Sequence, residues 1–324
     1  MIVVGDIFVD VIVDAPTPPV LGGDVVMTQP VTELPGGSAL NVVSHFSRAM
    51  KTNGTEVEGQ EKALTFLGAA GTDRYGNVIM EHIKKLRNVK FINGNEERND
   101  PTAHCVCLVT HSPRERSFLS YQGCLQSFDP DVSNHELGHL HLSGLNNLVG
   151  LNVMRMVSSF ERATSTSLIV QFGHDWDRCK PLLPHTTYLF ASIQEVLSIA
   201  SAKTLDEAKQ FYVSDGGPQF TIITKGEEGS EIVKRGAGVI LSTEGAHLDA
   251  ASVVDPTGAG DCFAAAFLYA ALVERKGLAD CLLEASAYGA ACCTMIGASS
   301  EVNVRDVENL KKAVVIRSRS PSVK

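Results

Sequence analysis

Runs of β-branched and apolar residues alternate with helix-patterned segments along most of this chain, and that alternation restricts its fold more than any other feature. The opening run MIVVGDIFVDVIV (1–13) reads as a strand, and a helical pattern starts at Ser38 and continues to about residue 50. ALTFLG (63–68), HLHLSG (139–144), SLIVQF (167–172), TYLFAS (187–192) and FTIITKG (220–226) read as further strands. Helical stretches fall at 75–86, 151–163, 193–201 and 204–214. Strands joined through helices run parallel, so the pattern predicts a mostly parallel sheet with helices on both faces. Two short strands are expected within 230–241, then helices at 258–274, 278–296 and 304–313. A strand at 25–32 and a strand pair at 104–110 and 116–121 break the rhythm. They are read as a small β-lid, made of segments about 14–34 and 101–122, inserted in one domain of residues 1–318. The polar stretch 51–62 reads as a surface loop and residues 319–324 as a flexible tail.

The chain has 324 residues, of which 44% are hydrophobic, enough for a substantial core. Its formal net charge of −9 argues against nucleic-acid binding, which wants a basic face. The start, MIVVGD, lacks a basic stretch and a cleavage-site pattern, and no apolar run has membrane-spanning length. A cytoplasmic protein is expected, with its 8 cysteines reduced in the core. His135, His139 and His141 mix helical and strand spacing and have no further ligand set, so they read as surface or strand-end histidines rather than a metal site. Trp176 reads as a packing residue beside a loop.

The chemistry concentrates in VVDPTGAGDCF (253–263), where a β-branched run ends at Asp255 and an alanine-rich helix begins. The first N–H groups of a helix have no intrahelical partner and lie at the positive end of its dipole. With Gly258 and Gly260 beside Ala259, those amides can approach phosphate oxygens closely. Asp261, in the same first turn, is placed to accept a proton from an attacking hydroxyl. Phe263 stands where a dinucleotide fingerprint needs its third glycine, and Gly-Lys, required by a Walker loop, does not occur.

D-P-T-G-A-G-D-C-F resembles the C-terminal signature of the ribokinase family, the PfkB-type carbohydrate kinases. Four more elements match in order: Gly5–Asp10, Gly36–Asn41, Gly68–Gly76 and Thr224–Gly229. The resemblance implies a ribokinase-like three-layer α/β sandwich with a mostly parallel central sheet and a small β-lid. It implies an ATP-dependent kinase acting on a hydroxyl of a small sugar or nucleoside. Asp261 would be the general base, with the Gly258, Ala259 and Gly260 amides as the anion hole. Asp10, Gly36, Gly37 and Asn41 would meet the substrate, and Thr224, Gly226 and Gly229 the nucleotide. Glu195 would act on Mg²⁺ through water, and Asp255 and Thr257 would supply oxygens to a monovalent-cation site for K⁺. The resemblance implies dimerisation through the lid, while the short lid leaves a monomer open.

Three positions depart from the family pattern. Ser192 replaces the Asn of N-x-x-E, which affects metal use. Phe8 and Ser38 stand where ribokinases proper carry a polar residue and a Lys, which argues against ribose. The other reading is a non-catalytic sugar or nucleotide sensor on the same fold. Asp73 and Gly76 read as turn formers.

Overall fold

The computed structural model describes residues 1–52, 64–112, 114–170, 176–246, 248–249 and 252–318. The N-terminal half contains β1 (Ile2–Gly5), β2 (Phe8–Ala15), β3 (Thr32–Gly36), α1 (Ser38–Thr52), β4 (Leu64–Gly68), α2 (Arg74–Lys85), β5 (Val89–Asn93), β6 (His104–His111) and β7 (Arg114–Tyr121). The middle adds β8 (His139–Ser143), α3 (Val153–Arg162), β9 (Ser165–Ile169), β10 (Tyr188–Ser192), α4 (Ile193–Ala200), α5 (Leu205–Val213) and β11 (Phe220–Thr224). The chain closes with β12 (Ser230–Lys234), β13 (Gly238–Thr243), α6 (Ala259–Leu272), α7 (Leu278–Cys292), α8 (Val304–Lys311) and β14 (Ile316–Ser318).

A 10-stranded sheet runs in the order β14-β13-β12-β11-β10-β9-β8-β1-β4-β5. Every neighbouring pair from β11 to β5 is parallel, whereas β12, β13 and β14 extend one edge antiparallel. The central strands β1 and β8 are buried throughout, as strands covered on both faces must be. One core lies under α3, α4 and α5, around Met156, Phe160, Ile199 and Tyr212. The other lies under α1, α2 and α6, around Leu40, Phe46, Ile79 and Phe267. Helix α6 is buried from Asp261 to Ala270, which accounts for its lack of a polar face. Gly289 lets α7 approach it, since a Cβ there would lie 3.2 Å from the Ala259 carbonyl and 3.3 Å from Phe263 Cβ.

The second sheet has 4 strands in the order β3-β2-β6-β7. The opening run 1–13 is therefore two strands in two sheets. Buried Asp6 marks the break, accepting a bond from the Ala39 amide at the start of α1 and another from Asn147. The small sheet thus begins at Phe8 rather than near residue 14, and its second strand is Thr32–Gly36 rather than 25–32. Pro35 fits β3 because an edge strand can leave a ladder position without an N–H.

Two short edge strands lack a sequence signal. β5 pairs with β4, and β14 pairs with β13 beside the stretch expected to fray. Residues 319–324 and the polar loop from 53 lie outside the described residues.

His139, at the strand end expected for it, and His141, inside β8, are buried rather than at the surface, bonded to Ser165 and Ser167. Burial pushes both imidazoles down to about 3, so they are neutral. Trp176 packs against the core beneath α4. No helix among the described residues is long and apolar enough to cross a membrane.

Candidate active site

Two cavities meet at the N-terminus of α6. The larger, about 630 Å³, is lined by Thr224, Gly226, Gly229, Ala259, Gly260 and Phe263 among others. The smaller, about 180 Å³, is lined by Asp10, Gly37, Ser38, Asn41, Gly258 and Asp261, with Asp6 and Asn147 alongside. Consecutive residues of one turn therefore face opposite cavities.

The turn is built by short-range chemistry. The Asp255 carboxylate accepts the Thr257 amide at 2.9 Å, as Asp does in turns. Gly258 has φ of 78°, and a Cβ there would lie 2.4 Å from Ala298 Cβ, so only glycine fits. The Ala259 N–H bonds the Pro256 carbonyl at 3.2 Å. That removes one of the three amides expected for the anion hole. The amides of Gly258, Gly260 and Asp261 have no partner among the described residues. A Cβ on Gly260 would meet nothing within 4 Å, so its Cα faces open space beside those donors. This is a cradle suited to an anion at a helix start.

Asp261 is buried, with 5% of its surface exposed. Ser38 Oγ donates to its Oδ1 at 2.5 Å, and Asn41 Nδ2 donates to its Oδ2 at 2.8 Å. Ser143 Oγ lies 2.5 Å from Ser38 Oγ and must donate to it, since Ser38 gives its own proton to Asp261. Burial raises the Asp261 carboxyl to about 7 against the pull of both hydrogen bonds. Asn41 lines the small cavity, and its Oδ1 is buried without a partner among the described residues.

Asp10 also lines the small cavity, and its carboxylate has no partner among the described residues. Burial, and then the charges of Asp6 and Asp255, raise it to about 6. Gly36 does not line this cavity. Its missing side chain leaves room for Asp10, whose carboxylate oxygen would lie 2.2 Å from a Gly36 Cβ. Gly37 lines the cavity at φ 96°. Asp6 is raised to about 6 by burial and ties β1 to α1 and to Asn147. Gly144, at φ 69°, makes room for the Asp6 carboxylate, since a Cβ there would lie 2.1 Å from its Cγ.

Gly226 and Gly229, at φ 60° and 94°, shape the loop after β11 on the large-cavity side. Asp73 caps α2 by accepting the Gly76 amide at 2.8 Å, as a turn former should.

Glu195 lines neither cavity among the described residues. It forms a capping box with Ser192: Glu195 Oε2 accepts the Ser192 amide at 2.7 Å, and Ser192 Oγ accepts the Glu195 amide. Its Oε1 has no protein partner among the described residues. Ser192 pairs with Thr224, which lines the large cavity, so the capping box stands at a strand end next to that cavity.

The expected cation pair is already engaged. Arg116, from β7, reaches Asp255 Oδ1 at 3.0 Å and Thr257 Oγ1 at 2.8 Å. The other Asp255 oxygen accepts the Gly297 amide at 3.3 Å.

Sequence reasoning missed Ser143, Asn147 and Arg116. They come from separate strands and a loop and carry no local motif.

The profile of the pfkB family carbohydrate kinases matches residues 1–304. Ribokinase of Arabidopsis thaliana is 25% identical over 252 residues, covering 72% of this chain and 63% of the relative. Adenosine kinase of Saccharomyces cerevisiae is 25% identical over 241 residues, covering 63% and 64%. The chain thus spans a little under two thirds of these curated relatives. Among solved structures, Thermotoga maritima ribokinase superposes with a TM-score of 0.75 at 18% identity, covering 96% of this chain and 98% of that one. Arabidopsis thaliana ribokinase complexed with ribose and ATP gives 0.73 at 24% identity, with the same coverage. The fold is ribokinase-like, and by the match across residues 1–304 the chain belongs to the pfkB family of carbohydrate kinases.

Proposed function

We propose that this protein transfers the γ-phosphate of ATP to a hydroxyl of a small sugar or nucleoside, with Asp261 as general base. The observation that carries this is the position of Asp261. It lines the small, carboxylate-bearing cavity, one residue from a Gly260 cradle that opens on the larger cavity. A hydroxyl in the small cavity and a phosphate at the turn would meet beside that carboxylate.

Asp10 accepts two substrate hydroxyls, and Asn41 lines the same cavity beside it. Ser38 and Asn41 Nδ2 hold Asp261 in place while it takes the proton of the attacking hydroxyl. The Gly258, Gly260 and Asp261 amides stabilise charge on the transferring group. Mg²⁺, held by the phosphates and by a water on Glu195, would neutralise phosphate charge. The small sheet acts as a lid: Cys105 and Ser120 of β6 and β7 line the acceptor cavity, and Arg116 pins β7 to the catalytic turn. Its outer edge, with Phe118 59% and Leu119 70% exposed, is the surface a homodimer would use.

The test is ADP release across pentoses, hexoses and nucleosides. Release with at least one acceptor is expected. Thermal stabilisation by sugars or nucleotides with no ADP from any acceptor would make the protein a sensor instead.

The pH dependence follows from Asp261. The base must be ionised, so kcat/KM should fall about tenfold per unit below pH 7 and level off above it. A flat profile between pH 5 and pH 7 would remove Asp261 from that role.

A further inference from the structure

Next to the catalytic turn, and lining neither cavity, His45, Cys262 and Cys292 bring their ligating atoms within 4.8 Å of one another. We propose that these three side chains form a binding site for a borderline or soft divalent ion of the zinc class. All three are buried, at 6%, 0% and 1% exposure. They come from α1, α6 and α7, so the cluster exists only in the folded chain.

The donor set is the argument. One imidazole and two thiols match the His/Cys chemistry that selects zinc over magnesium or calcium. His45 Nε2 lies 2.8 Å from the Ala298 carbonyl. A ligating histidine commonly donates its other ring N–H to a backbone carbonyl, and this bond leaves Nδ1 as the nitrogen that carries a lone pair. Cys292 Sγ also lies 3.8 Å from the Thr257 carbonyl, which with water offers a fourth ligand. None of the carboxylates around the acceptor cavity belongs to the cluster, so hard ions bound there would not compete for it.

Binding displaces the two thiol protons, and both sulfurs become thiolate ligands. The ion would tie together the parts that hold the catalytic turn. Cys262 follows Asp261, His45 lies one helical turn beyond Asn41, and the Cys293 carbonyl accepts the Val254 and Asp255 amides.

The test titrates the reduced, metal-free full chain with CoCl₂, without oxygen and with Mg²⁺ in excess. A thiolate-to-cobalt charge-transfer band should saturate at a single equivalent, and Zn²⁺ should bleach it. Cys262→Ser and Cys292→Ser should each abolish the band, His45→Gln should weaken binding at least tenfold, and Cys107→Ser and Cys281→Ser should leave it intact. Circular dichroism checks each variant's fold, and Cys292→Ala replaces any serine variant that fails. No band in the wild type with its thiols shown free, or a band that survives loss of both Cys262 and Cys292, overturns the proposal. Either result leaves the ADP-release assay untouched.

Discussion

Asp261→Asn is expected to lower turnover by about 10²–10⁴-fold, the usual worth of a positioned general base. That is about 3–5 kcal/mol of transition-state stabilisation. The fold should survive, because the new amide can still accept from Ser38, and Asn41 can flip to present its unpartnered Oδ1 to the new N–H. ATP affinity should be nearly unchanged, since the anion donors are main-chain amides. Equilibrium binding of ATP and single-turnover transfer, measured on the same variant, separate the two effects. The pH limb near 7 should vanish with the carboxylate. Wild-type turnover in this variant would remove the base and the proposed mechanism with it.

Asp10→Ala is expected to act on binding and stability in opposite directions. Two charge-assisted hydrogen bonds to the acceptor, each worth about 1.5–3 kcal/mol, would be lost. The acceptor KM should then rise by about 100-fold or more, with a smaller change in kcat. The free protein should become more stable at neutral pH, because a half-buried carboxylate without a partner among the described residues is removed. The sign follows from linkage. Asp10 titrates at about 6 in the folded chain against an ordinary 3.8. Between those values the unfolded chain has released its proton and the folded chain has not. Wild-type stability therefore falls as pH rises through that window, and the variant should lose this part of the slope. Thermal melts at pH 4 and pH 7 measure the difference. An unchanged acceptor KM would take Asp10 out of the binding site.

The parallel sheet was legible because its strands are covered on both faces and separated by helix-patterned segments, so local composition reports burial directly. The α6 junction was legible because Gly258 and Gly260 answer to backbone needs, which a single chain position can express. The break at Asp6 was not, since the residues on both sides are equally β-branched and only burial beneath α1 turns the strand out of its sheet. β5 and β14 were missed because edge strands are short and half exposed, and pairing rather than pattern makes them strands. The cysteines at 262 and 292 looked like ordinary core residues, since their mutual approach arises from helix packing.

The sequence by itself determined the layered architecture, the glycine turn and the carboxylate beside it, because each depends on periodicity or on the conformational range of a few consecutive residues. Tertiary structure alone decided which side chains serve that turn. Ser143 behind Ser38, Asn147 on Asp6, Arg116 across Asp255 and His45 against the two cysteines are each brought together from distant parts of the chain. Contacts of that kind are set by how strands and helices pack, and no local spacing encodes them.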